Sequence, residues 1–265
     1  MVAPRLGISV RIDPGLYLSG LSQGVARHLG DLRVALRSLE DGSFSTKASA
    51  PRPGALLQFT FAPTAQPDTA AVRLCNRCFV NIVAELITYL DRMIAFQRCR
   101  SRQMTIPSGV TTQGDLLQFI RQQLEEEYSA VARDRRLSNP KKLDSFPGIA
   151  GIARDSALSY FAVRRTIEHH GDHPEENIAL WYGRLKLVAG SVELTTPGQA
   201  APPGAGISLG MDHVSRMIPA KTPVSLTEAE LEHIVFTIQH LIGPEVRRVA
   251  LESKPDGVAG PADGS

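Results

Sequence analysis

The sequence predicts a mainly α-helical chain: a helical bundle with a small α/β appendage at its start and one inserted β-hairpin. Three observations predict it. Apolar residues recur at three- and four-residue steps over long stretches. Gly, Pro and Ser cluster between those stretches, and runs with strand-like alternation are short. At 265 residues and 43% hydrophobic content, the chain can bury a full core.

Residues 7–12 (GISVRI) alternate weakly and are expected to form a strand, closed by the turn signal Asp13-Pro14-Gly15. Residues 21–39 place Val25, Leu29, Leu32, Leu36 and Leu39 on one helical face. A Ser-, Pro- and Gly-rich loop is expected at 41–54, a strand at 56–61 (LLQFTF) and a second loop at 62–68. Residues 1–67 thus form the appendage.

The main core helix is expected at 68–100, where Leu74, Cys78, Ile82, Leu86, Leu90 and Met93 belong to a broad apolar stripe. Pro107, Ser108 and Gly109 break it, and Asp115 opens a second helix that runs to Leu137 with a charged, solvated outer face. Asn139-Pro140 reads as its stop. A third helix is expected from about Arg154 to His169, with Gly171 in place for a C-terminal cap. Residues 179–188 and 192–196 flank Ala189-Gly190-Ser191, a hairpin pattern, and 197–206 reads as a flexible stretch. The last helix starts near Ser225-x-x-Glu228, a capping-box spacing, and buries Leu231, Ile234, Val235, Ile238, Leu241 and Ile242. The helical core therefore covers 68–252, with the hairpin near 179–196. Residues 253–265, rich in Gly, Pro and Asp, are expected to be a disordered tail.

Composition excludes several classes. A formal charge of +2 advertises no long-range basic field, so contact with nucleic acid has to come from local clustering. No run of apolar residues is long enough to span a bilayer, and the first ten residues lack a secretory pattern, so no membrane contact and a cytoplasmic location are expected. Three cysteines, Cys75, Cys78 and Cys99, are too few and too unpaired for a disulfide framework and are expected to be core thiols. Walker and dinucleotide loops, a GxSxG elbow and HExxH are all missing. Gly204, Gly206 and Gly210 lie in a Pro-rich stretch expected to be flexible. His213, His233 and His240 read as satisfied histidines, so no metal and no cofactor are expected, although His233 and His240 stand seven apart on one helical face.

The densest polar cluster runs from Arg164 to His173 at the end of an otherwise apolar helix. Cationic side chains complement the macrodipole there, which by itself stabilises the helix end. The run Tyr160-Phe161-Ala162-Val163-Arg164-Arg165-Thr166-Ile167-Glu168-His169-His170-Gly171 also resembles the signature of the HEPN superfamily, an arginine followed after four to six residues by a histidine at the end of a core helix.

The resemblance covers about residues 68–242 and implies a helical bundle, a homodimer in which two helix ends meet across a cleft, and RNA cleavage without metal. It makes Arg164 the signature arginine and His169 its histidine, with Arg165, His170 and His173 as binding residues beside them. Arg165-x4-His170 satisfies the same spacing, so both registers stay open. Arg165 also stands where the superfamily commonly has a small polar residue. A toxin or phage-defence role, with an antitoxin or other protein partner, follows by family analogy alone. The rival expectation is a non-catalytic dimeric module that binds RNA or protein through the same cleft, or a structural subunit of a larger assembly.

Overall fold

The computed structural model describes residues 13–41, 67–102, 104–190 and 207–252. Within them the chain is mainly helical with one two-stranded antiparallel sheet. The order is α1 (Gly15–Glu40), α2 (Pro67–Ser101), α3 (Gln113–Arg133), α4 (Asn139–Asp144), α5 (Gly151–His169), β1 (Ile178–Gly190), β2 (Ile207–Ile218) and α6 (Glu228–Thr237). A π-helical turn, Ile238–Ile242, then leads into α7 (Gly243–Glu252). The strands expected at 7–12 and 56–61, most of the loops around the second of them, the strand at 192–196 and the tail at 253–265 lie outside the described residues.

Three expectations about these elements are corrected. Asp13-Pro14-Gly15 leads straight into α1, with the Gly15 amide donating to Asp13 Oδ1 at 2.8 Å, while the strand expected before it lies outside the described residues. The second long helix ends at Arg133, four residues before Leu137, where the Asp134 amide turns back onto the Val131 carbonyl. Asn139-Pro140 starts a short helix instead of stopping one, because proline at the first turn forgoes only an amide that has no partner there anyway. The last helix is capped by Thr227, not Ser225: the Glu230 amide donates to Thr227 Oγ1 and the Thr227 amide donates to Glu230 Oε2.

The chain divides into two compact units, each described by itself. The first comprises Met1–Gln23, Ala84–Leu158 and Ile238–Ser265. Its interior is built on the apolar stripe of α2: Leu86, Tyr89, Leu90 and Met93 are buried, and Phe96 and Cys99 cluster with Leu124 of α3. The Arg92 guanidinium lies over the rings of both Tyr17 and Tyr128, a pair of cation–π contacts that ties α1 and α3 to α2. The Tyr89 hydroxyl donates to the Gly243 carbonyl at 2.8 Å. A side chain at Gly243 would come within 2.6 Å of Leu18 Cδ1 and 3.0 Å of the Ile238 carbonyl oxygen, so a larger residue there requires the Leu18 side chain to shift. Asp91 and Lys142 form an ion pair whose side chains are 6% and 7% exposed. Thr112 caps α3 through a reciprocal box with Asp115.

The second unit comprises Gly24–Val83 and Ser159–Thr237. Val25, Leu29 and Leu32 of α1, Phe79 and Val83 of α2, Tyr160 and Val163 of α5, Leu180 and Tyr182 of β1, and Leu231 and Ile234 of α6 are buried in it. Phe79 and Tyr160 meet edge to face with centroids 6.1 Å apart. Asn76 is buried and uses both ends of its amide: Nδ2 donates to the Val224 carbonyl at 2.8 Å, and Oδ1 accepts from the Leu226 amide at 3.3 Å. Asn76→Ala should therefore lower stability by about 1–3 kcal/mol, since it strands two buried backbone groups, and urea unfolding at constant slope checks it.

β1 pairs with β2 over twelve residue pairs, with an irregularity between Leu187 and Ala189. Among the described residues the partner of β1 is residues 207–218, and β1 continues through Ala189 and Gly190, where the hairpin turn was expected. Gly210, expected in a flexible loop, sits in the ladder opposite Lys186. The signal was present as alternation: Ile207, Leu209 and Met211 interleave with Ser208, Gly210 and Asp212.

Candidate functional site

All the residues singled out between Arg164 and His173 belong to the second unit, Arg164, Arg165 and His169 in the last turns of α5 and His170 and His173 just after it. That helix is anchored by Ala157, Tyr160, Phe161 and Val163, which are buried. Thr166 is buried too, its hydroxyl donating to the Ala162 carbonyl at 3.2 Å. The helix ends as expected, with the His170 amide bonded to the Thr166 carbonyl and Gly171 in the left-handed region at φ +59°. Asp172 follows at φ +67°, so two consecutive left-handed residues reverse the chain. The turn is then fixed by the Val224 amide on the Asp172 carbonyl at 2.7 Å and the Lys221 amide on the Pro174 carbonyl at 2.8 Å. Nothing lies within 4 Å of a side chain placed at Gly171, so Gly171→Ala meets backbone strain alone. It should cost about 1–2 kcal/mol in thermal or urea unfolding.

The arginine of the proposed signature is already engaged. Arg164 donates to both carboxylate oxygens of Glu168, at 2.9 and 3.0 Å, across one helical turn. Glu168 was not among the expected site residues, although its i, i+4 spacing from Arg164 was readable. At about 100° per residue, Arg164 and His169 leave the helix about 140° apart, so one copy of the chain does not aim both at a single point. Arg165 and His169, four apart, share a face about 40° wide, and both are exposed. Among the described residues no hydrogen bond or ion pair holds either of them.

His170 is half-buried, with Nδ1 3.4 Å from Glu175 Oε1. His173 is exposed and its Nδ1 lies 2.7 Å from the Gly171 carbonyl oxygen. A carbonyl only accepts, so Nδ1 is the donor in that contact. The structure thus gathers Arg165, His169, His170 and His173 around the end of α5, and turns Arg164 into an ion pair on its flank. Between residues 164 and 176 the carboxylates Glu168, Asp172, Glu175 and Glu176 outnumber the two guanidiniums, and only protonated histidines reverse that balance.

The remaining candidates are used structurally. His233 stacks on Tyr182 with centroids 5.7 Å apart, while His213 tilts against Trp181 at 4.6 Å and, contrary to the expectation of a satisfied ring, its buried Nε2 has no hydrogen-bond partner among the described residues. His240 lies in the π-helical turn, which breaks the regular seven-residue relation to His233. Cys75, Cys78 and Cys99 are buried free thiols. Burial pushes the Cys78 thiol up to about 12, far from a reactive thiolate, and its sulfur donates to the His28 carbonyl. Among the described residues no group of three His, Cys, Asp or Glu side chains is placed to hold a metal ion. No described helix is long and apolar enough to cross a membrane. No family model matches the chain, and no curated protein or solved structure matches it either.

Proposed function

We propose that this chain is a HEPN-type, metal-independent ribonuclease that works as a homodimer through the ends of α5. The observation that supports it most is the exposed His169 imidazole, unengaged among the described residues, one turn from exposed Arg165 on a helix whose other faces are anchored. A neutral imidazole there takes the proton of a ribose 2′-hydroxyl, and the freed oxygen attacks phosphorus. An imidazolium on the other side protonates the departing 5′-oxygen, leaving a 2′,3′-cyclic phosphate and a 5′-hydroxyl. Guanidinium stabilises the charge on the phosphorane between these steps. Because Arg164 and His169 diverge on one helix, the second copy has to complete each pocket.

The test is RNA incubated with the full chain in excess chelator, with product ends identified by mass spectrometry. Cyclic phosphate ends that disappear in His169→Ala support the reading, and intact RNA ends it. A second reading, a non-catalytic dimeric module, is favoured by the Arg164–Glu168 pair, which occupies the guanidinium a nuclease needs. RNA retained but never cut, with or without chelator, selects that reading.

A further inference from the structure

The turn that follows β2 carries a lysine in a conformation that suits glycine. The Thr222 amide donates to the Pro219 carbonyl at 3.3 Å, closing a four-residue turn whose third residue is Lys221 at φ +59°. Glycine or asparagine ordinarily takes such a left-handed position, because a β-carbon there crowds its own backbone. The turn is clipped to the segment leaving α5: the Lys221 amide donates to the Pro174 carbonyl and the Ala220 amide to Asn177 Oδ1, both at 2.8 Å. Bond lengths then keep the Cα atoms of Lys221 and His173 within about 11 Å. The Lys221 side chain is exposed, and among the described residues no hydrogen bond or ion pair holds its ammonium, although Glu175 and Glu176 are exposed in the clipped segment.

We propose that Lys221 is a further RNA contact, holding a backbone phosphate next to the one that reacts at the end of α5; this deepens the nuclease reading and rests on it for its ligand. The charges of the site call for such a cation. Arg164 is neutralised by Glu168, and the carboxylates Asp172, Glu175 and Glu176 repel an approaching phosphate. An imidazole carries charge only when protonated, which leaves Arg165 as the one unpaired permanent cation between residues 164 and 176 among the described residues. Lys221 adds a second, a point charge on a flexible four-carbon stem that can follow a single strand past His173. Glycine would make the same turn without the strain, so what lysine adds at this position is its side chain.

The experiment compares the full chain with its Lys221→Gly and Lys221→Arg variants on a labelled single-stranded RNA in excess chelator. Affinity is read by fluorescence anisotropy over a series of salt concentrations, and cleavage by initial rates. Lys221→Gly should weaken binding and raise KM about three- to tenfold with kcat nearly unchanged, and should flatten the slope of log affinity against log salt by about 0.7, the loss of one phosphate contact. Its unfolding midpoint should hold or rise, because the strained residue is gone, so weaker binding is not damage to the fold. Lys221→Arg keeps the charge and should keep the slope. If Lys221→Gly binds and cuts like the parent, with the parent's slope, the inference is overturned and the nuclease reading stands. If the parent binds RNA without cutting it, the nuclease reading ends, while a flattened slope in Lys221→Gly still supports the contact. RNA neither bound nor cut by the parent overturns both.

Discussion

Lys142→Met, with Asp91 left in place, should destabilise the protein by about 3–5 kcal/mol, because it abandons a buried carboxylate that has one ionic partner. Asp91 Oδ2 accepts from Lys142 Nζ at 2.9 Å, and Oδ1 stands 2.6 Å from the same nitrogen outside hydrogen-bonding geometry. Burial pushes the Asp91 carboxyl up, and Lys142 pulls it back only in part. The sign of the pH effect follows. A carboxyl that holds its proton more tightly folded than unfolded favours folding most at low pH, and loses that contribution as pH rises from the ordinary carboxylate range through its raised value. With the lysine gone the upward shift grows, so the deficit of the variant should be greatest near neutral pH and shrink on acidification. Urea unfolding at two pH values measures this, and a deficit that is small at neutral pH, or grows in acid, refutes it. Asp91→Leu combined with Lys142→Met should recover most of the loss, since an apolar pair of similar volume leaves no charge to solvate.

The other large effect is on chemistry. His169→Ala should reduce RNA cleavage about 10²–10⁴-fold, the range over which a positioned general acid or base acts. Arg164→Ala should cost about 10²–10³-fold if its guanidinium stabilises the phosphorane. Both residues lie outside the buried stripe of α5, so unfolding midpoints should barely move. Glu168→Gln separates two roles of the ion pair. Releasing the guanidinium should raise cleavage and tighten RNA binding, whereas a fall to the level of Arg164→Ala would mean that Glu168 holds the arginine in working position. Cleavage undiminished in both the Arg164 and the His169 variant removes the site altogether.

The long helices were legible because their signal is local and repeated. The stripe on α2, with its ends within a residue of those expected, needs only the helical period and apolar side chains. The cap at Gly171 was equally plain, since the left-handed conformation there has a residue preference of its own. The short α4 was missed because a proline is read from one side only: the residue that ends a helix when it follows one also begins the next. β2 was missed for a different reason. Its alternation is diluted by Gly210, Asp212 and Ser215, and a ribbon is recognised by its partner more than by its composition.

The candidate site divides along the same line. Where the polar residues collect, and that an apolar helix ends among them, was written in local order, because helix period and capping depend on neighbours within a few residues. Which of two overlapping Ser/Thr-x-x-Glu boxes caps α6 was not, since Glu228 is drawn off to Arg33, 195 positions away. Nor was the burial of Asp91 against Lys142, 51 positions apart, or the sealing of one ribbon edge by Ser159 and Thr237. Such pairings are settled by three-dimensional packing: a charge or an amide takes whatever partner the fold brings within about 3 Å, and chain order carries no record of that distance.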